Sequence, residues 1–274
     1  MKRTLMLCAF AAVVATASAI DFEAPKYNGS AGGTVLTGQN GWYVPPVGGA
    51  DWNVFTYAGN THGIVSNPTG GDQLAVGVTG ATPARAQRDH DWASGPVWTA
   101  SYDILGMYVG QLPTADNLGS FSLQDSATTK SFIALNRWMD PTTATAWQAE
   151  YNVYDSTGLA LANQSAGAEW MNLDVNKWYR QSTTFSFADN TISEVSITDI
   201  VAGTTTTVNP VGWYLQGGSS SGLPTPTAFR FFAGGAAGNL MGIDNITLEV
   251  VPEPATVLAL GLGVALLAAR RRKN

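Results

Sequence analysis

The sequence predicts an all-β protein, an antiparallel two-sheet sandwich with a segment of different character at each end. Three observations carry this. Apolar and polar residues alternate in one short run after another, the period of a strand with one buried face. Gly, Asn, Asp, Ser and Pro separate the runs at close spacing, as turns require. No stretch between the two ends places apolar residues at helical spacing over twelve positions.

The runs follow in order. Val54, Phe55 and Tyr57 mark the first, and Val97 to Ile104 the next. Phe121 and Leu123 alternate with Ser122 and Gln124. Trp147, Ala149, Tyr151 and Val153 alternate over four positions, and Asp155-Ser156-Thr157-Gly158 then predicts a turn. Phe185 with Phe187, Val195 with Ile197, and Ile246, Leu248 with Val250 complete the set. The Gly- and Pro-rich stretches 29–49 and 216–227 read as long surface loops, either a binding face or loose tips. No internal repeat and no linker divides the middle of the chain.

The ends obey other rules. Lys2 and Arg3 precede an apolar run from Leu5 to Val14, and small residues Ala17 and Ala19 stand at the −3 and −1 positions of a cleavage site. That pattern predicts a secretory signal peptide over 1–19, the other reading being a short membrane anchor. At the far end Pro252-Glu253-Pro254 precedes an apolar stretch from Ala255 to Ala269, then Arg270-Arg271-Arg272-Lys273. Fifteen helical residues reach about 22 Å, short of a hydrocarbon core of about 30 Å. Five Leu and two Val supply about −3 kcal/mol of insertion free energy, a marginal value. The arginines extend the effective span and keep that terminus on the cytoplasmic side. A buried terminal helix fits less well, because this one is apolar all round and ends in four cations.

Val251-Pro252-Glu253-Pro254-Ala255-Thr256, the Leu/Gly/Ala-rich helix and the Arg cluster together resemble the PEP-CTERM sorting signal of bacterial envelope proteins. The resemblance covers 251–274. It implies recognition by an exosortase, cleavage near the motif, transient membrane anchoring, and a producer that makes exopolysaccharide. The domain expected between the two ends is 20–250.

Composition narrows the function of that domain. Six of the fourteen Lys and Arg and one of the twenty Asp and Glu sit in the ends, leaving eight cations against nineteen anions, a formal charge of −11. Such acidity argues against nucleic acid or anionic lipid as a partner. The single cysteine, Cys8, lies in the signal region, so the mature domain has neither a disulfide nor a thiol nucleophile.

From Asn176 onward the order Lys177-Trp178-Tyr179-Arg180, Asp189-Asn190, Ala202-Gly203-Thr204 and Ile243-Asp244-Asn245-Ile246 resembles the concanavalin A-like, laminin G-like jelly roll. The resemblance implies that the first and last strands lie close together, bringing Glu23 near Asp244. It also implies a structural calcium on those two carboxylates, with turn hydrogen bonds as the alternative use for both.

No catalytic signature is present. None of Glu23, Glu150, Glu169, Glu194 and Glu249 opens the carboxylate pattern of sandwich glucanases, and there is no nucleophile elbow or phosphate loop. Arg88-Asp89-His90-Asp91 reads as a solvated loop rather than a metal site, since His62 is the only other histidine. Nine tryptophans remain. Trp98, Trp147 and Trp178 read as core. Trp42, Trp52, Trp92 and Trp213, like Trp138 and Trp170, fall near loop-like sequence, either as rings for stacking on sugars or as core residues. Three functions follow from these readings: a non-enzymatic structural or adhesive protein of the surface or matrix, a glycan-binding lectin-like module, and a divergent polysaccharide-active enzyme.

Overall fold

The computed structural model describes residues 17–93, 95–107, 117–126, 131–143, 145–219 and 226–252, with backbone alone at 117 and 131–143. Residues 1–16 of the expected signal peptide and the expected C-terminal membrane helix lie outside these residues, whereas residues 17–19 of the signal segment are extended strand. Among the described residues no helix is long and apolar enough to cross a membrane.

The chain runs through β1 (Ala17–Ile20), β2 (Thr34–Val35), β3 (Trp42–Tyr43), β4 (Asn53–Thr56), β5 (Gln73–Val78) and β6 (Ala84–Asp89). It continues through β7 (Val97–Met107), β8 (Asn117–Gln124), β9 (Ser131–Thr143), β10 (Ala146–Tyr154) and β11 (Ala160–Gln164). After one turn of 3-10 helix, Ala168–Trp170, come β12 (Leu173–Asp174), β13 (Tyr179–Ser186), β14 (Thr191–Asp199), β15 (Thr204–Val208), β16 (Ala228–Ala233) and β17 (Leu240–Val250). One sheet has the order β15-β14-β13-β7-β17-β5-β4-β2, with β1 also on β17. The other has the order β11-β10-β9-β8-β16-β6-β3, with β12 on β10. The named strands pair antiparallel throughout, as in β7 with β17 and β8 with β16.

Period-2 alternation builds the core between the sheets. Trp98, Ala100, Tyr102 and Ile104 of β7 point inward, as do Phe229 and Phe231 of β16. Tyr102 meets Phe121 at 5.0 Å and Phe231 at 5.3 Å between ring centroids. Each such ring removed from water contributes about 2–3 kcal/mol. Gly77 makes room for one more: a side chain there would overlap the Trp52 indole.

The first sheet also buries its outer face. Residues 57–72, which join β4 to β5, lie across it as a strap over Phe55, Tyr57, Ile64, Leu74, Val76, Leu105, Trp178 and Leu240. Trp178 Nε1 donates to Val65 O at 2.8 Å, which ties strap to strand.

The alternating runs read from the sequence fall on strands here, with Tyr57 and Phe187 one residue beyond β4 and β13, and the turn at 155–158 closes on Asp155 Oδ1, which accepts from Thr157 N and Leu159 N. The first and last strands are neighbours, Ile20 pairing with Ile246. The stretch 29–49 is not only loop, since it contains β2 and β3.

Candidate functional site on the outer face of the second sheet

The second sheet carries a buried polar row on the side away from the core. In β16, Phe229, Phe231 and Ala233 face inward, so Arg230 and Phe232 face outward. In β6, Ala84 and Ala86 face inward, which sends Arg85, Gln87 and Asp89 outward. The register pairs Arg230 with Gln87, and Gln87 with Tyr43 of β3.

A directed hydrogen-bond chain results. Arg230 donates through Nε and Nη2 to Gln87 Oε1, at 2.8 and 2.6 Å. Gln87 Nε2 donates to Tyr43 Oη at 2.8 Å, and Tyr43 Oη donates to Asp89 Oδ1 at 2.6 Å. The direction is forced. A guanidinium only donates, so the amide oxygen of Gln87 must face it and the amide nitrogen must face Tyr43. Gln87 is fully buried and Arg230 is 7% exposed. Burial pushes the Tyr43 phenol up to about 12, with the Asp89 carboxylate adding to the effect. Burial also pulls the Arg230 guanidinium down to about 10, and the charge of Arg85 adds to that.

Arg85 lies beside this row. Its Nη1 donates to Gly48 O at 2.9 Å and its guanidinium sits 5.2 Å over the Phe232 ring. Farther along the face are Ser122, Gln124 and Glu150, all buried. Gln124 Nε2 donates to Ser122 Oγ at 2.6 Å. The arrangement can offer donors, a half-buried aromatic ring and two cations to a ligand laid across the strands.

Of the residues in the hydrogen-bond chain the sequence reading singled out only Asp89, within the stretch 88–91 and not as part of a site. The signal that was available is the pattern Phe229-Arg230-Phe231 in a strand, with Arg85 and Gln87 at alternate positions of another. Charged and amide residues there replace the Thr and Ser that solvent-facing strand positions usually hold.

The residues singled out by sequence sit elsewhere. Trp42, Trp52 and Trp92 are at most 2% exposed and cannot stack on a sugar. Trp42 packs edge-on against Phe229 at 5.4 Å, Trp52 lies 6.1 Å from Phe231, and Trp92 lies 5.2 Å from Trp98. Burial of so large a ring outweighs the loop-like sequence around it. Trp170 is likewise buried, and Trp98, Trp147 and Trp178 are core residues as expected. Trp213 is half-buried, 5.1 Å from the Tyr151 ring. The side chain of Trp138 lies outside the described residues.

Glu23 and Asp244 flank one turn: a side chain on Gly71 would strike the Glu23 carboxylate, and one on Gly70 the Asp244 carboxylate. Glu23 Oε1 accepts from Gln73 N at 2.8 Å. Asp244 Oδ2 accepts from Tyr57 Oη and Asn67 Nδ2, and its Oδ1 from Asn245 N. Among the described residues no group of three His, Cys, Asp or Glu is placed to hold a metal. A calcium at this pair would draw most of its six to eight oxygens from carbonyls and water.

Asp244 also belongs to a second polar row, on the outer face of the first sheet. The register aligns Arg180, Asp103 and Asp244 across β13, β7 and β17. Arg180 grips Asp103 with both arms of its fork, Nε to Oδ1 at 2.6 Å and Nη2 to Oδ2 at 2.9 Å. Asn67 Nδ2 and Thr69 Oγ1 of the strap donate to Asp103 Oδ2 at 2.8 and 2.9 Å, as does Asn245 Nδ2 at 2.8 Å. Burial raises the Asp244 carboxyl to about 7, with the Asp103 charge adding to it.

The stretch 88–91 is not the solvated loop the sequence suggested: Arg88 and Asp89 end β6, Asp89 is tied to Tyr43, and His90 packs on Trp92 and Trp98 at 4.5 and 5.0 Å. Burial pulls the His90 imidazole down to about 4. A separate cleft of about 280 Å³ is rimmed by Glu169, Asp174 and Asp199. Lys177 bridges Asp199 at 2.7 Å and Asp174 at 3.3 Å there, which uses its charge internally.

At the ends, Ala17 and Ala19 pair in β1 with Glu249 and Thr247. Val251 N donates to Val97 O, and the chain leaves the sheet at exposed Pro252, which has no N–H to continue the ladder. Glu253, Pro254 and Arg270 to Arg272 lie outside the described residues.

Fold and termini together define an all-β, two-sheet antiparallel protein with a processing signal directly after its last strand. Residues 250–273 match the PEP-CTERM protein-sorting motif, which implies export, exosortase processing and an envelope or surface location. No curated protein matches the chain. Among solved structures, the chain is similar to a carbohydrate esterase from the Shiga toxin-encoding bacteriophage phi24B, at 13% identity and TM-score 0.43 over 81% of this chain and 100% of that one. The cellulose-induced protein Cip1 is similar at 13% identity and TM-score 0.44, over 84% and 96%. Arcelin-5, a lectin-like defence protein from Phaseolus vulgaris, is similar at 8% identity and TM-score 0.39, over 86% and 97%. Likeness of this degree assigns no activity.

Proposed function

We propose that the protein is a non-enzymatic, glycan-binding adhesive module of the cell surface or extracellular matrix, built on a concanavalin A-like jelly roll. The observation that carries this reading is the directed chain Arg230–Gln87–Tyr43–Asp89 on the outer face of the second sheet. A sandwich core needs none of these groups. A sugar hydroxyl needs donors and acceptors held in fixed directions, and a pre-ordered row supplies them at low entropic cost.

The test is co-sedimentation of the full-length protein with a panel of polysaccharides, comparing the parent with Tyr43→Phe. That variant keeps the ring and removes the hydroxyl. Binding weakened about fivefold or more, in line with the loss of one polar contact, is the expected result. Equal binding by both proteins, or none by either, would remove the reading.

Delivery rests on the two ends. The signal peptide is cut after Ala19, which removes three of the four β1 residues from the edge of β17, and the C-terminal helix anchors the protein until an exosortase cuts near Pro252. Intact mass of the native protein reads both cuts, and Ala at Pro252 and Glu253 leaves the helix attached. A structural calcium shared by Glu23 and Asp244 would raise the thermal midpoint when calcium is returned to chelated protein. An unchanged midpoint would dismiss it.

A further inference from the structure

We propose that the outer face of the second sheet selects glycans bearing anionic groups, carboxylate or sulfate, and binds them through Arg230 and Arg85. This rests on the glycan-binding reading above and deepens it by naming the substituent that is read.

Four observations carry it. Arg230 is a 93% buried cation whose Nε and Nη2 both donate to one neutral oxygen, Gln87 Oε1. Its Nη1 has no acceptor among the described residues, and no carboxylate there lies within ion-pair distance of it. Arg85, two residues from Gln87 on the same face, is close enough for its charge to weigh on Arg230, and it too lacks a carboxylate partner among the described residues. The domain around them is strongly acidic, with eight cations against nineteen anions, yet the carboxylates on this face, Asp89 and Glu150, form no ion pair with either arginine.

A buried cation without a counter-ion is costly, and two neighbouring ones repel. An anion entering from outside relieves both costs. Its oxygen accepts from Arg230 Nη1, and the Arg85 guanidinium stands over Phe232 to share the charge. Gln87 fixes the plane of the Arg230 fork beforehand, so little rotamer freedom is lost on binding. Because Nε and Nη2 are committed, Arg230 offers one edge rather than a two-armed grip. That geometry suits a charged group projecting from a sugar ring that lies along the sheet.

The experiment uses the full-length protein with four probes: polygalacturonate, the same polymer with its carboxylates chemically reduced, dextran sulfate, and dextran. Affinity is measured by isothermal titration at low and high NaCl, for the parent and for Arg230→Gln and Arg85→Gln. The charged probes are expected to bind about tenfold or more tightly than their neutral counterparts. That preference should shrink at high salt and fall in both variants. Whether the carboxylate or the sulfate probe binds identifies the group. Equal binding of charged and neutral polymers overturns this inference and leaves the glycan reading standing. No binding of any probe overturns both. An anion preference that survives in the folded variants overturns the assignment to these arginines. Should Arg230→Gln fail to fold, Arg85→Gln decides alone, because its side chain is only half-buried.

Discussion

Each sheet carries a strand arginine on its outer face, Arg180 in β13 and Arg230 in β16, and the two are used in opposite ways. Arg180 is 39% exposed at its side chain yet holds a fully buried carboxylate, Asp103, and through Asn67 and Thr69 that pair fastens the 57–72 strap. Arg230 is nearly buried, holds only a neutral amide, and fastens nothing that covers it among the described residues. The first row closes a face; the second leaves charge looking outward. The lesson is that an arginine's partner, more than its burial, separates a structural fastening from a recognition group.

The largest effect should come from breaking each arginine in turn. Arg180→Met strands the Asp103 charge in a buried site, and should cost about 3 kcal/mol, or roughly 6–12 °C in thermal midpoint. Arg230→Met removes a cation that has no counter-ion, and should change stability by about 1 kcal/mol or less. Thermal melts of the two variants side by side check this, and the reverse order would break the comparison.

A pH series sharpens it. Asp244 titrates at about 7 in the folded chain, well above an unfolded carboxyl. The folded state therefore holds the proton more tightly, and this stabilisation is complete below the unfolded value. It is lost as pH rises toward 7, at about 1.4 kcal/mol per pH unit. Relative to Asp244→Asn, the parent should weaken steadily between pH 5 and 7 and then level off. Urea midpoints at each pH read it, and a flat difference would show that the first row does not feel this proton. The smallest effect belongs to Lys177→Ala. Both its carboxylate partners are partly exposed, so the loss should stay under about 1 kcal/mol in the same melts.

The strands were legible because one face of each is core. Trp147, Ala149, Tyr151 and Val153 state their own orientation through period 2, and β10 follows them. The buried tryptophans and the polar row were not legible, for a common reason. Trp42 packs against Phe229, and Arg230 sits on a strand flanked by β6 and β8, which come from distant parts of the chain. An alternating pattern says which way a side chain points, and not what stands in front of it. The strap was missed likewise, because its Asn and Thr residues resemble any turn until their partners at 103, 180 and 244 come into place.

The last strand is an interior one. β17 lies between β7 on one side and β5 with β1 on the other, and the sorting motif begins at its final residue, Val250. The first sheet therefore stays divided until residues 240–250 dock between its two parts, and the same docking fixes the first residue of the sorting motif, Val250, opposite Trp98.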